Sequence, residues 1–233
     1  YRGGGVTVSH EEPQMKALVY GDSQTGYIGK EIEKLLKAQG FNVTRVVKSG
    51  KSTSWLSDYA AKTFPAQGWD AVYLLTGGND PGVQASSLNS LLTYFKSPSS
   101  VTYIPLPPAT RITNLSLAKK VWGSANSPNK FFPQTAAKRE VKAKAYVEIA
   151  KDLGVKVIDP RDTPWKIAKP FKQPSGVVFP SQPDGIHASN GAAEVAAFAV
   201  SAPQKPEITV STFPTIGAIA AVVIAYLLAK PRR

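Results

Sequence analysis

The chain has 233 residues, enough for one medium-sized domain and a short appendage. At 42% hydrophobic and 19% charged it is not a disordered chain, and with no cysteine and only two histidines it has no disulfide framework, thiol nucleophile, Cys-ligated zinc site or His-rich metal centre. Lys and Arg number 28 against 16 Asp and Glu, a net +12 that suits an anionic surface or polymer.

Residues 1–14 include three consecutive glycines and no apolar core, so they read as an extension ahead of the fold in which no secretory signal is visible; the chain does not begin with Met, which leaves a removed presequence open. Lys16 to Tyr20 is a short apolar strand that runs into Gly21-Asp22-Ser23. Ile28, Ile32, Leu35 and Leu36 then fall at helical spacing, with Gly40 as a stop. Phe41 to Val47 reads as a second strand and Trp55 to Phe64 as a helix. Ala71 to Thr76 is a buried-strand run ending at Gly77-Gly78-Asn79-Asp80. A helix over Leu88 to Lys96 and a fourth strand over Val101 to Leu106 follow. Ala136 to Leu153 is a basic helix closed by Gly154, Val155 to Ile158 a fifth strand, and Ser189 to Val200 an Ala-rich helix. This alternation predicts an α/β domain over residues 15–200 with a parallel sheet covered on both faces.

Two long segments, Pro107 to Thr135 and Asp159 to Pro183, read as irregular. The first carries Arg111, Trp122, Phe131 and Phe132, and the second carries Trp165, Phe171, Phe179 and six prolines. Loops of this length form walls or lids, and their aromatics are expected to pin them to the domain. Lys138, Arg139, Lys142 and Lys144 share one helix and are expected on its solvated face. No nucleic-acid-binding motif accompanies them, so no specific nucleic-acid partner is expected.

After a polar linker, residues 201–212, Phe213 to Ala229 is a 17-residue stretch without a charge, followed by the basic tail 230–233. About 17–25 such residues span a bilayer, so 213–229 predicts a single C-terminal transmembrane helix. Gly217, Ala218, Ala220 and Ala221 suit close packing with other helices in the membrane. The positive-inside rule puts Lys230, Arg232 and Arg233 in the cytoplasm and the domain outside, which conflicts with the missing signal. A membrane component of a virion, meeting the envelope from outside, resolves that conflict. The expected location is therefore membrane-associated, on a host membrane or a virion, with the side left open.

In a parallel sheet, ligands collect beyond the carboxyl ends of the strands. The loops there carry Gly21-Asp22-Ser23, Ser49-Gly50-Lys51-Ser52, Gly77-Gly78-Asn79-Asp80 and, ahead of the last helix, Asp184-Gly185-Ile186-His187. Singly, each is ordinary turn or cap chemistry. Together they supply what acyl transfer by serine needs: a nucleophile, a base, a group to orient that base and oxyanion donors. Ser23 stands at a strand-to-helix turn, and His187 is the one histidine within the domain. Asp184 lies three residues earlier, so a tight turn can bring its carboxylate to the imidazole. Gly50 permits close backbone approach and Asn79 offers an amide.

Across residues 15–200 these four blocks resemble those of the SGNH (GDSL-type) hydrolases, in order and in spacing. The resemblance implies a three-layer, flavodoxin-like fold and hydrolysis of an ester; an enzyme carried on a virion would act on an acylated cell-wall or surface polysaccharide, and no metal or cofactor is expected. It implies Ser23 as nucleophile, His187 as general base and Asp184 as its orienting group. The Ser23 and Gly50 N–H groups and the Asn79 amide then form the oxyanion hole. Gln24 stands where the family commonly has an apolar residue, at the edge of the first block and outside the chemistry. A structural or binding protein that keeps the hydrolase scaffold is the alternative.

Overall fold

The computed structural model describes residues 14–96, 100–110, 112–122, 128–162, 170–172 and 178–201. Five parallel strands form one sheet: β1 (Lys16–Gly21), β2 (Asn42–Val47), β3 (Ala71–Thr76), β4 (Ser100–Pro105) and β5 (Lys156–Val157). They lie in the order β2-β1-β3-β4-β5. The helices are α1 (Ile28–Ala38), α2 (Thr53–Thr63), α3 (Ala85–Lys96), α4 (Leu115–Trp122), α5 (Pro128–Asp152) and α6 (Ala192–Ser201).

Alternate residues of each strand feed two cores, because successive side chains leave opposite faces of the sheet. Leu18 and Tyr20 of β1 and Val72 and Leu74 of β3 pack with Leu56, Leu91, Phe95 and Tyr146 from α2, α3 and α5. Ala17, Val19, Tyr73 and Leu75 pack on the other face with Ile28, Ile32 and Leu36 of α1 and Val195, Ala196 and Ala199 of α6. The apolar stripe seen in α1 is the face it buries, and the small residues of α6 allow it to lie close. β3 is buried at every position, which accounts for its unbroken apolar sequence. Each fully buried Leu, Ile or Phe side chain contributes about 1.5–3 kcal/mol, so two such layers hold the sheet's rim rigid.

The two segments read as irregular are not wholly so. The first contains α4 and the opening turns of α5, and the second contains a 3-10 turn over Pro160–Asp162 and an antiparallel ribbon of β6 (Pro170–Lys172) and β7 (Val178–Pro180). Arg111 and Trp165 lie outside the described residues, as do the side chains of Trp122, Phe131, Phe132, Phe171 and Phe179. Among the described residues no helix is long and apolar enough to cross a membrane, and the span expected at 213–229 lies outside them.

The strand order reverses between β1 and β3. That switch point is where an open parallel sheet leaves a crevice, and the Gly21-Asp22-Ser23 and Gly77-to-Asp80 loops are the two that leave it.

Candidate active site

β1 ends on Gly21, whose φ of +154° is one that L side chains rarely adopt. A Cβ there would sit 1.8 Å from the Leu75 carbonyl oxygen of β3, so only glycine lets the chain turn this close to its neighbour. The Asp22 N–H donates to that same carbonyl at 2.9 Å. Asp22 is buried, and its carboxylate joins the two loops at the switch point. One oxygen accepts the Gln24 N–H at 2.9 Å and caps the 3-10 turn Ser23–Gly26, and the other accepts the Gly78 N–H at 3.1 Å. Burial raises the Asp22 carboxyl above the ordinary carboxylate range against those hydrogen bonds and the pull of Arg139.

Ser23 is thereby presented on the first residue of a helical turn. Its hydroxyl lies 2.8 Å from His187 Nε2, and His187 Nδ1 lies 2.5 Å from Asp184 Oδ2. The other Asp184 oxygen accepts the N–H groups of Ile186 and His187 at 3.0 and 2.9 Å, so one local turn fixes carboxylate and imidazole together. Burial pushes Asp184 up, but the hydrogen bonds from the His187 ring and these two N–H groups outweigh it and hold the carboxyl below its ordinary value. An ionised Asp184 accepts from Nδ1–H, which leaves Nε2 to accept the Ser23 proton. Tyr27 stacks on the imidazole at 4.9 Å between ring centres and covers one face.

The His187 loop is braced from the segment that follows β4. Gly185 O accepts the Thr110 N–H at 2.7 Å, and Thr110 Oγ1 accepts the Gln182 N–H at 2.9 Å. The Gln182 amide donates to Asn190 O and accepts the Asn190 N–H, both at 2.9 Å, which closes the loop on itself. Parts of both supposedly irregular segments thus form the mount of the imidazole.

Gln24 departs from the sequence expectation. Its buried side chain donates to Ile186 O at 2.8 Å and accepts the Ala188 N–H at 3.2 Å. It grips the backbone on either side of His187, so it is part of what positions the imidazole and not only the motif's edge.

The third loop is held by residues the motif does not mention. The Asp80 carboxylate accepts the Thr53 N–H at the start of α2, the Thr53 hydroxyl and the Tyr146 hydroxyl, at 2.7, 2.6 and 2.5 Å. Lys142 Nζ donates to Asp80 O at 2.6 Å and to Gly77 O at 3.2 Å. Asn79 is exposed, and its amide donates to Lys51 O at 3.3 Å, which joins the second loop to the third. Gly50 is exposed at φ +73° with open space around its Cβ position. Its glycine therefore answers to the turn's φ and not to a close approach within the chain. The structure brings Ser23, His187 and Asp184 into one hydrogen-bonded line, and Asn79 meets the Gly50 loop at Lys51.

The basic face expected on α5 is divided. Lys138 and Lys144 are exposed, whereas Arg139 and Lys142 are buried, with Arg139 Nε and Nη2 both donating to Pro107 O at 3.0 and 2.8 Å. Between α5 and the third loop lies a cavity of about 570 Å³, lined by Gly78, Asn79, Val83, Lys138, Arg139, Val141 and Lys142 and reaching Ile186 beside the imidazole. Among the described residues no group of three His, Asp or Glu side chains could hold a metal ion. The signal for the buried cations was present: Arg139, Lys142 and Tyr146 share a helical stripe with Ala143 and Ala150, both core residues.

No protein-family model matches the chain, and no curated protein sequence matches it. Solved structures do. The chain is similar to a carbohydrate acetylesterase family member from Sinorhizobium meliloti at a TM-score of 0.55 and 14% identity, over 80% of this chain and 95% of that one. For a lipase/acylhydrolase from Enterococcus faecalis the TM-score is 0.54 at 17% identity, over 80% and 93%. For a GDSL-like lipase from Bacteroides thetaiotaomicron it is 0.55 at 12% identity, over 79% and 85%. What the chain shares with these esterases and acylhydrolases is their three-layer parallel-sheet fold.

Proposed function

We propose that the chain is a serine ester hydrolase with Ser23 as nucleophile, His187 as general base and Asp184 as the group that orients it. The observation that carries this reading is the line Ser23 Oγ, His187 Nε2, His187 Nδ1, Asp184 Oδ2, with contacts of 2.8 and 2.5 Å. A scaffold without catalysis has no need of that line. Nε2 takes the hydroxyl proton as Oγ attacks the ester carbonyl. The oxyanion is held by the Ser23 N–H, which as the first amide of a helical turn has no acceptor within that turn, and by the Gly50 N–H and the Asn79 amide. Each such donor is worth about 2.7–4 kcal/mol in the transition state. The proton passes from His187 to the leaving alcohol. Water, deprotonated by His187 in turn, cleaves the acyl-enzyme and restores Ser23.

The substrate we propose is a small acyl ester, acetyl in particular, on a cell-wall or surface polysaccharide; a carbohydrate acetylesterase among the similar folds supports it. Residues 213–229 anchor the enzyme in a membrane, a host cell's or a virion's, where deacylation meets the polysaccharide at the surface. Flotation of the full chain with lipid vesicles, lost on deletion of 213–229, tests the anchor.

The reading is tested by hydrolysis of nitrophenyl esters of rising acyl length and release of acetate from acetylated polysaccharide. Turnover should fall by at least about 10³-fold in Ser23→Ala and His187→Ala. Equal rates in wild type and Ser23→Ala would contradict it and leave the scaffold alternative.

A further inference from the structure

The cavity that reaches Ile186, the neighbour of His187 in the chain, has an unusual wall. Three cations line it from one side of α5: Lys138, Arg139 and Lys142. None of the three forms an ion pair among the described residues. Arg139 is only 5% exposed, and its two hydrogen bonds end on a single carbonyl, Pro107 O. Its remaining nitrogen, Nη1, has no hydrogen-bonding partner among the described residues and lies on the Gly78 side, 4.0 Å from where a Cβ on Gly78 would stand. Lys142 spends its donors on two carbonyl oxygens and keeps its charge against the cavity.

The acids nearby are already engaged. Asp80 lines the cavity, but its carboxylate accepts from Thr53 and Tyr146, and Asp22 behind Gly78 accepts from two backbone N–H groups. Glu140, next in sequence to Arg139, pairs with Arg161. Burial lowers Arg139 to about 10, which still leaves it charged at neutral pH. Asp22 and Asp184 attract Arg139 without forming an ion pair with it, so the cation keeps an open N–H and unpaired charge that an anion in the cavity would complete. Apart from Asn79 and Asp80, the rest of the wall is apolar or glycine, with Val83 at 44% and Val141 at 65% exposure, so an occupant carrying both an apolar body and a negative charge fits it.

We infer that the cavity between α5 and the third loop binds a carboxylate, or an anion of like charge and size, carried by the ester substrate itself. This rests on the ester-hydrolase reading and narrows it to acidic esters, such as those of sugar acids. The anion sits on the acyl side or on the alcohol side of the scissile bond, and the test separates the two.

The experiment uses the full chain and two matched pairs of esters. On the acyl side, mono-4-nitrophenyl glutarate is compared with 4-nitrophenyl valerate; on the alcohol side, 4-acetoxybenzoate is compared with its methyl ester. In one pair the anionic member should have a kcat/KM about tenfold higher at low salt, which corresponds to about 1.4 kcal/mol. That ratio should shrink toward one at about 1 M salt, where the screening length is about 3 Å. Lys138→Glu should lower the ratio about tenfold, whereas Lys144→Glu, on the same helix but outside the cavity, should leave it unchanged. An enzyme that hydrolyses the neutral esters yet disfavours the anionic member of both pairs overturns the inference alone. An equal loss of the ratio in both lysine variants overturns it too, because net charge and not the cavity would then be responsible. No turnover of any ester overturns the hydrolase reading together with it.

Discussion

Replacing Gln24 with methionine keeps the length and removes both polar contacts of its side chain. The Ala188 N–H would then be left in a fully buried position, a loss of about 1–3 kcal/mol. Ile186 is partly exposed, so water can replace the lost donor there and the cost is about 0.5–1.5 kcal/mol. Together these give about 1.5–4.5 kcal/mol, or a Tm about 3–18 °C lower for a domain of this size. The catalytic effect is separate. Both lost bonds flank His187, whose Nε2 must stay within reach of Ser23 Oγ, 2.8 Å away. A displacement of about 1 Å at such a contact costs about 10²-fold in rate. Hydrolysis of 4-nitrophenyl acetate well below the variant's Tm should therefore show kcat down by about 10²-fold with KM little changed. Gln24→Glu keeps the acceptor for Ala188 but sets a carboxylate oxygen against the Ile186 carbonyl in a buried position, so its Tm should fall at least as far as that of Gln24→Met. A Gln24→Met enzyme with a lower Tm and a wild-type kcat would refute the reasoning, since Gln24 would then support the fold and nothing more.

Asp184→Asn should lower kcat by about 10³–10⁴-fold, because an amide donor at Nδ1 leaves Nε2 protonated and unable to accept from Ser23. Asp184 sits below its ordinary value in the fold, so the stability it contributes is complete above about pH 3.9 and is lost as pH falls through its folded value. Asp22, held high, works in the opposite sense, so the comparison to make is wild type against Asp184→Asn: Tm should fall more steeply below about pH 4 in the wild type. Asn79→Ala should slow turnover by about 10²–10³-fold with an unchanged Tm, since Asn79 is exposed and its side chain makes one long hydrogen bond among the described residues. Gly21→Ala should fail to give soluble, cooperatively melting protein, because its methyl group would overlap the Leu75 carbonyl at 1.8 Å.

Much of the sheet could be read from the chain because its signals are local. Ala71 to Thr76 is apolar throughout because β3 is central, and the α1 stripe at Ile28, Ile32 and Leu36 is the face it buries. The hydrogen-bonded line of Ser23, His187 and Asp184 was legible for a similar reason: Asp184 and His187 meet through one turn, and Ser23 stands where β1 breaks. Helix α4 was hidden by breakers on both sides, the prolines at 107 and 108 and the Gly-Ser-Asn stretch from 123, although Asn114 caps it through its side chain. The opening of α5 was hidden by Pro133, which reads as a stop, while Pro128 stands at the first helical position, where proline is favoured. Gln24 could not be read, because its partners lie 162 and 164 residues away and nothing near it in sequence announces them. Lys142 and Tyr146 hold the Asp80 loop across a similar gap in the chain, 62 and 66 residues.

Labelling of the intact protein with a serine-directed fluorophosphonate, mapped by mass spectrometry, tests the central claim most directly. The account predicts one label, on Ser23, that forms quickly, is absent from Ser23→Ala and is strongly slowed in His187→Ala. A folded protein that takes no label, or takes it on another serine at the same rate, would contradict it.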